Sequence, residues 1–192
     1  MKIRCQWVNN DPLLKEYHDK EWGVPIHDDS LLFEFLVLES AQAGLSWNTI
    51  LKKRENYRSS FDNFDPRKVA AYNDVKIEIL RNDKGIVRNR LKINSAVSNA
   101  QTLQEIQREF GSFDKYIWKF VDGKPIQNRW KNIKELPLST VVSGKMSIEL
   151  KKRGFKFIGP KICYSFMQAV GMVNDHTVDC FRHSELQKSM KL

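Results

Sequence analysis

Four residues near the two ends of the chain have the side chains and the spacing of a metal site. His176 and Cys180 are four residues apart, which on a helix places both side chains on one face, within reach of one ion. Cys5 and His18 can complete a Cys2His2 set, a type that zinc prefers. Cysteine and histidine are also ordinary buried residues, and this spacing differs from that of a zinc finger. Spacing alone therefore leaves a metal site and simple burial open.

Glu39 is a carboxylic acid in a strongly apolar segment. It follows a segment, residues 31–38, that is apolar except for Glu34, and on a helix it continues the row of Phe35 and Leu36, so it points toward the interior. Burying a carboxylate is costly unless the group is paired or bound to a ligand. The sequence therefore leaves two roles for Glu39, a member of a buried ion pair or a part of a ligand site.

Tyr17, Trp22 and Trp47 are aromatic residues in the same sequence neighbourhoods as Glu39. An extruded nucleobase is held by aromatic stacking and by hydrogen bonds to its polar edge, a task that these four residues could perform. Burial in the core is the commoner use of such rings. Leu45 lies in the break before the Trp47 helix, where it either packs on its own protein or enters the gap left by a flipped nucleotide.

The segment from residue 151 to residue 180 contains a basic cluster, a short turn and a helix. Gly154 and Gly159 enclose the turn and can both adopt positive φ, with Lys156 between them. Pro160 then starts a helix whose second residue is Lys161. The preceding residues also form a helical pattern, so the segment predicts two helices joined by a tight hairpin. Its backbone N–H groups and the N-terminus of the second helix suit a phosphate group.

The remaining chain predicts about nine helices, no convincing strand and an all-α orthogonal bundle. The stretch 122–137 is polar and irregular, and no Pro-, Ser- or Gly-rich linker divides the chain. We therefore expect one domain over residues 1–192, with residues 181–192 as a frayed polar tail. The predicted helix N-caps are Asp28 or Asp29 for the second helix, and Ser46, Asp65 and Ser112 for later ones.

The 32 basic residues exceed the 23 acidic ones, which gives a net charge of +9 and a pI near 9.5. This balance indicates an anionic partner, most commonly nucleic acid, with an acidic membrane surface as the alternative. No apolar run could span a bilayer and the N-terminus lacks the apolar core of a signal peptide, so we expect a cytoplasmic protein. Three cysteines argue against a disulfide framework, and Cys163 is expected in the core.

The chain resembles the 3-methyladenine DNA glycosylase I family, a branch of the helix-hairpin-helix DNA glycosylases. The resemblance implies an all-α helix-hairpin-helix glycosylase fold. It also implies an enzyme that removes 3-methyladenine from alkylated double-stranded DNA in base excision repair. We expect the protein to be a monomer. The resemblance rests on five segments that occur in the same order as in the family: RCQWV at 4–8, YHDKEWGVP at 17–25, AGLSWNTILKKRENYR at 43–58, KRGFKFIGPKICYSFMQA at 152–169 and VNDH at 173–176.

The resemblance also implies roles for particular residues. A zinc ion would bind Cys5, His18, His176 and Cys180 and join the two ends of the chain, with no open position for water and hence a structural role. The residues expected to contact 3-methyladenine are Glu39, Tyr17 and Trp47, with Trp22 as part of the wall. Leu45 would be the wedge. The DNA backbone would be held by Gly154, Lys156, Gly159 and Lys161. At position 14 the family often has an aromatic residue, whereas this chain has Leu14. We therefore expect a looser pocket on that side.

The VNDH phrase predicts an unusual mechanism. Most helix-hairpin-helix glycosylases have an aspartate where this chain has Asn174, and Asp175 is shifted by one position. N3-alkylated adenine is cationic and leaves as a neutral base, so little acid or base catalysis is needed. We therefore expect a monofunctional glycosylase in which Glu39 and the aromatic residues bind the base and water attacks the sugar. Lys161 matches the Schiff-base lysine of lyases, but a phosphate contact is favoured because the partner aspartate is missing.

A different class of function also fits the charge and the hairpin. A zinc-stabilised DNA-binding module with no chemistry would have the same basic surface. Such a module has no need of Glu39 in an apolar helix near Trp47. Release of free base from alkylated DNA therefore distinguishes the two functions.

Overall fold

The computed structural model describes residues 2–189, which are mostly helical as predicted. Its one strand pair is short and parallel, joining β1 (Ile126–Gln127) to β2 (Val173–Asn174), with Ile126 opposite Val173. This pair is an exception to the all-α prediction. The helices are α1 (Pro12–Lys20), α2 (Asp29–Gln42), α3 (Trp47–Ser60), α4 (Pro66–Ala70), α5 (Asp74–Asn82), α6 (Arg90–Phe110), α7 (Phe113–Ile117), α8 (Val141–Lys152), α9 (Pro160–Ala169) and α10 (Phe181–Ser189), with 3₁₀ segments at Asp62–Phe64, Trp118–Val121 and Ile133–Glu135.

The helix α2 forms the centre of the core. It packs against α3, α6, α7 and α9, so nearly its whole circumference is buried, as the apolar residues on all its sides predict. Leu32, Leu36 and Leu38 are fully buried along its length. Glu39 and Ser40 follow on the same buried helix. The pattern that makes α2 a core helix therefore also places a carboxylic acid inside the protein.

The predicted helix starts agree with the structure. The side chains of Asp28, Ser46, Asp65 and Ser112 each accept a hydrogen bond from a backbone N–H of the helix that follows. Gly111 ends α6 in the left-handed conformation, with φ of 87°. These local signals fix where the helices that carry the site begin and end.

The turn between α8 and α9 differs in one detail from the prediction. Gly154 has the expected positive φ, 105°, but Gly159 has φ of −67° and serves as the N-cap of α9. Phe157 adopts the second left-handed conformation instead, with φ of 54°. The buried side chains of Phe155 and Ile158 anchor the turn on either side, which offsets the strain at Phe157.

The prediction of a frayed C-terminal tail is wrong for residues 181–189, which form α10. Leu186 and His183 on this helix are buried. The Nε2 atom of His183 lies 2.9 Å from the carbonyl oxygen of Asn128, and the side chain of Asn174 donates to the carbonyl oxygen of His183. Long-range contacts therefore order a polar segment whose sequence has no clear helical pattern. Residues 190–192 lie outside the described chain.

The irregular stretch 122–137 is held by side chains rather than by regular structure. Asn128 and Trp130 both donate hydrogen bonds to the buried carboxylate of Asp175, at 2.6 and 2.7 Å. The pairing of β1 with β2 adds backbone hydrogen bonds to the same region. Within residues 2–189, no helix combines the length and the apolar character needed to cross a bilayer.

Candidate active site and metal centre

Cys5, His18, His176 and Cys180 come together in one buried cluster. Their four ligand atoms all lie within 4.8 Å of one another. The Sγ of Cys180 is 3.4 Å from His18 Nε2 and 3.5 Å from His176 Nδ1, and the Sγ of Cys5 is 3.5 Å from His176 Nδ1. A tetrahedral zinc ion with its usual bond lengths requires sulfur and nitrogen ligands to be about 3.5–3.6 Å apart. The donor set and its spacing therefore fit a metal ion of this kind.

The far sides of both histidine rings are also bonded. His18 Nδ1 lies 2.8 Å from Asp19 Oδ1, and Asp19 in turn accepts hydrogen bonds from Arg4. His176 Nε2 lies 2.9 Å from the carbonyl oxygen of Trp22. Such partners fix the tautomer and the orientation of a metal-binding ring. The N–H of Thr177 points at the sulfur of Cys5, 3.4 Å away.

The candidate base pocket is lined by the four residues named from the sequence. Tyr17, Trp22, Glu39 and Trp47 surround a cavity of about 160 Å³, below the roughly 300–1,000 Å³ of sites for drug-sized ligands. Larger depressions, up to about 650 Å³, lie elsewhere on the described surface, but Glu39 lines none of them. The pocket therefore has the dimensions for a small planar group. Its lining also includes three residues that the sequence did not single out: Trp7, Gln42 and Ser165.

The rings in the pocket form one continuous row. Trp47 contacts Tyr17 with ring centroids 5.3 Å apart, Tyr17 contacts Trp7 at 6.5 Å, and Trp7 contacts Trp22 at 5.0 Å. These are contact distances, so no further ring fits between neighbours, and a planar ligand would lie against the row. Trp7 also packs edge-on against His18, at 5.3 Å, and so connects the pocket to the metal cluster. In the sequence, only the aromatic side chain of Trp7 and its position close to Cys5 could have indicated that it belongs to the pocket.

Glu39 is 5 % exposed, and among residues 2–189 no side chain forms a hydrogen bond or an ion pair with its carboxyl group. Burial raises the pKa of Glu39 to about 8. Burial, followed by the nearby charge of Glu39, raises the pKa of Tyr17 well above its usual value. Of the two roles left open by the sequence, a member of an ion pair and a part of a ligand site, the described chain excludes the ion pair.

Trp47 contributes a second polar group without a partner. Its indole Nε1 is buried and donates no hydrogen bond within the described chain. Buried donors are nearly always paired in folded proteins, so such a group in a ligand pocket indicates a ligand acceptor. The pocket thus contains one unpaired carboxyl group and one unpaired N–H group.

A buried ion-pair network holds the helices α2 and α3 that carry these two groups. Arg54 of α3 donates from Nε to Glu34 of α2 at 2.5 Å and from Nη1 to Glu21 at 2.6 Å. Arg58, one turn later, donates to the same Glu34. Both helices are therefore fixed relative to each other behind Tyr17, which preorganises the pocket.

Leu14 and Leu45 have very different surroundings. Leu14 is 7 % exposed and packs in the core from α1, so the missing aromatic group leaves no open gap at its own position. Leu45 is 42 % exposed in the turn between α2 and α3. Gly44 beside it has φ of 81°, a conformation that only glycine adopts readily. This turn therefore presents an apolar side chain to the solvent.

The hairpin between α8 and α9 presents backbone donors and lysines. Lys156 and Lys161 are exposed, and Gly154 and Gly159 lie at the two ends of the turn. The backbone N–H groups of residues 157–159 donate no hydrogen bond within the described chain. Gly159 also provides no side-chain cap to α9, so the first N–H groups of that helix are available to an anion.

Asn174 and Asp175 are both buried and engaged in the fold. The Asp175 carboxylate accepts hydrogen bonds from four neutral donors: Asn128, Trp130, Tyr164 and Gln168. The side-chain nitrogen of Asn174 donates to Gln127 Oε1 and to the carbonyl oxygen of His183. Neither side chain lines the pocket. The carboxylate closest in sequence to the usual catalytic position therefore has no lone pair directed at a substrate.

The fold and the site define a class of helical protein with a small, aromatic-lined pocket beside a buried, unpaired carboxyl group. The family model described as methyladenine glycosylase matches residues 7–183, and the chain belongs to this family.

Individual relatives agree with this assignment over nearly their whole length. The chain is 51 % identical over 177 residues to DNA-3-methyladenine glycosylase 1 of Escherichia coli (strain K12), covering 92 % of this chain and 95 % of the relative. It is 45 % identical over 180 residues to DNA-3-methyladenine glycosylase of Haemophilus influenzae, covering 94 % and 97 %. The solved structure of 3-methyladenine DNA glycosylase I from Staphylococcus aureus, a study of 3-methyladenine recognition, superposes with a TM-score of 0.90 at 39 % identity, covering 93 % and 95 %.

Proposed function

We propose that this protein is a DNA glycosylase that removes 3-methyladenine from alkylated DNA by hydrolysing the N-glycosidic bond, as a step of base excision repair. The observation that carries the proposal is the buried, unpaired carboxyl group of Glu39 beside the row of aromatic rings. Membership of the methyladenine glycosylase family and the names of the relatives support the same activity. A DNA-binding module without chemistry would not need this pocket.

Recognition rests on the charge of the lesion. An N3-alkylated adenine is cationic in the nucleotide, whereas an unmodified adenine is neutral. Burial raises the pKa of Glu39 to about 8, so before a base binds this side chain is a protonated acid at neutral pH. A cationic base next to Glu39 favours the ionised form and recovers the cost of ionisation, which a neutral base cannot do. The Trp47 Nε1–H then donates to an acceptor on the base edge.

The chemical step needs little help from the protein. The cationic base leaves as a neutral molecule, so its glycosidic bond is already weakened and water can attack the sugar. Asp175 is saturated with hydrogen bonds and Asn174 carries no acid, which supports a mechanism without the usual catalytic aspartate. The same lack of a partner acid supports a phosphate contact, rather than lyase chemistry, for Lys161.

DNA binding is assigned to the hairpin and to the turn that carries Leu45. The unpaired N–H groups of residues 157–159, the open N-terminus of α9 and Lys156 and Lys161 provide a site for the phosphate backbone, as in helix-hairpin-helix proteins. Leu45 would fill the space left by the extruded nucleotide. The partner of this surface is double-stranded DNA that contains alkylated bases.

A single structural zinc ion is proposed for Cys5, His18, His176 and Cys180. The sulfur–nitrogen spacings and the second partners of both histidine rings support a closed tetrahedral site. When bound, zinc supplies a cross-link between the N-terminal segment and the residues before α10. It has no position for water and so takes no part in the chemistry.

The proposal is tested by incubating the protein with methylated duplex DNA and separating the released bases by chromatography. We expect free 3-methyladenine and an intact sugar-phosphate backbone until the abasic sites are cleaved by alkali. Release of no base would refute the glycosylase activity. Strand breaks without alkali, together with borohydride trapping that is lost in Lys161→Ala, would instead show lyase chemistry. Glu105→Gln, on the exposed side of α6, is the matched control for variants of Glu39.

A further inference from the structure

Lys92, in the first turn of α6, holds the end of a different helix. Its Nζ donates hydrogen bonds to the carbonyl oxygens of Ala41, at 2.8 Å, and Ala43, at 2.6 Å. These are carbonyl groups at the C-terminus of α2, where a positive charge is favourable. The last turn of α2 has no basic residue of its own, so Lys92 supplies this charge from another helix.

The residues that follow Ala43 form the turn with Leu45. Gly44 has no heavy atom within 4 Å of the position where its Cβ would lie, so the turn is not packed on that side. The N–H of Leu45 donates back to the carbonyl oxygen of Gln42, which keeps the turn attached to the end of α2. The contacts from Lys92 to Ala41 and Ala43 therefore fix the base of the turn that presents Leu45.

Asn99, two turns further along α6, holds the hairpin in a similar way. Its side chain is 1 % exposed and forms two hydrogen bonds with one backbone unit of the hairpin. Asn99 Nδ2 donates to the carbonyl oxygen of Lys156 at 3.1 Å, and the N–H of Lys156 donates to Asn99 Oδ1 at 2.8 Å. The backbone N–H groups of residues 157–159, which follow Lys156, donate no hydrogen bond within residues 2–189 and so remain available to a phosphate.

The two side chains are seven residues apart on one helix, which is close to two full turns, or about 10.5 Å, and places both on the same face. We propose that Lys92 and Asn99 are positioning residues, and that α6 is a brace that sets the Leu45 turn at a fixed distance from the phosphate-binding hairpin. The wedge then meets the base stack when the hairpin holds the backbone. This inference rests on the proposed glycosylase function, because it gives the two loops their roles on DNA.

The brace acts on extrusion and leaves the base pocket unchanged. Neither Lys92 nor Asn99 lines the pocket with Glu39. Loss of the Lys92 contacts should therefore leave the affinity for free 3-methyladenine within about twofold, while it slows excision from duplex DNA by about 10- to 100-fold through misplacement of Leu45. Excision from single-stranded DNA, which requires no wedge, should change little.

The experiment measures single-turnover excision from duplex and single-stranded methylated DNA for Lys92→Met, Leu45→Ala and the double variant. If Lys92 acts through Leu45, the double variant is no slower than Leu45→Ala alone. Lys92→Arg, which keeps two donors and the charge, should recover most of the rate. Lys92→Gln replaces Lys92→Met if the latter does not fold, with the same expectation, and binding of free 3-methyladenine reports folding in each case. Asn99→Ala should weaken duplex binding without changing free-base binding.

Three results would overturn the inference. An unchanged duplex rate in Lys92→Met would show that the contact has no role in extrusion. If the salt dependence of DNA binding by Lys92→Met were lower than that of wild type by the amount expected for about one phosphate contact, Lys92 would bind DNA directly. An equal loss of free-base affinity would show damage to the pocket. Failure of the wild-type protein to release base would refute the proposed function instead, so the two failures are distinguishable.

Discussion

The Nε2 atom of His176 lies 2.9 Å from the backbone carbonyl oxygen of Trp22. The Nδ1 atom of the same ring faces Cys5 and Cys180 in the metal cluster. A metal held at Nδ1 would leave the ring proton on Nε2, where it would be donated to the carbonyl oxygen of Trp22, a residue of the candidate base pocket. The metal cluster and the pocket wall are therefore connected by one hydrogen bond.

The first prediction concerns loss of the metal. Cys180→Ala removes one of four ligands, so the zinc content measured by atomic emission should fall from one per chain toward zero. The thermal midpoint should fall by at least about 5 °C, since roughly 2–4 °C correspond to 1 kcal/mol in a chain of this size. Free-base affinity should fall as well, because His176 no longer fixes Trp22.

Cys163→Ala is the matched control for this change, since Cys163 is buried in α9 away from the cluster. It should keep one zinc per chain. Wild-type protein that contains no zinc after purification without chelators, or Cys180→Ala protein that keeps the wild-type midpoint, would contradict the structural role of the metal.

The second prediction concerns the pH dependence of stability at Glu39. The folded pKa is raised to about 8 from 4.5, so the proton is held in the folded state after the unfolded state has lost it. The unfolded state therefore gains stability from ionisation as the pH rises from about 4.5 to 8, and the folded protein is destabilised by a few kcal/mol over this range. Glu39→Gln, which cannot ionise, should be more stable than wild type at pH 8 and nearly equal to it at pH 4.5.

Urea unfolding at these two pH values measures the effect. Glu105→Gln, on the exposed side of α6, should show no such difference between the two pH values. Equal stability of Glu39→Gln and wild type at pH 8 would mean that Glu39 is not desolvated as the structure indicates.

The third prediction separates structure from chemistry at Asp175. Its carboxylate accepts hydrogen bonds from four buried or half-buried donors, including Tyr164 and Trp130. Asp175→Ala leaves these donors unpaired and should reduce the free energy of unfolding by about 3–5 kcal/mol. Single-turnover excision at a temperature where the variant is folded should stay within about tenfold of wild type. A loss of a thousandfold or more in a folded variant would indicate that Asp175 takes part in the reaction, contrary to the mechanism.

The sequence predicted most of what depends on residue type and local spacing. The burial of Glu39 follows from the apolar residues around it on α2, and the meeting of Cys5 and His18 with His176 and Cys180 follows from ligand chemistry together with the family resemblance. Glu39 in particular is a side chain whose burial is difficult to explain unless it has a function. The helix N-caps were also predicted correctly, because each cap depends only on a few neighbouring residues.

Features that depend on distant contacts could not be predicted. The helix α10 is ordered by contacts of His183 with Asn128 and Asn174, which no local pattern records. Trp7 is part of the pocket because α1 brings Tyr17 against it, and Tyr17 in turn contacts Trp47 of α3. The left-handed conformation at Phe157 rather than Gly159 arises because buried neighbours fix the turn more strongly than the preference of glycine does.

The central claim is that Glu39 recognises the alkylated base within the aromatic pocket. Its most direct test is the single-turnover release of 3-methyladenine from methylated duplex DNA by wild type and by Glu39→Gln, at pH 7 and with Glu105→Gln as the control. The amide in Glu39→Gln keeps the shape of the side chain and lacks the charge that the cationic base requires, so we expect release to slow by at least about tenfold while Glu105→Gln matches wild type. Release of 3-methyladenine by Glu39→Gln at the wild-type rate would contradict the account.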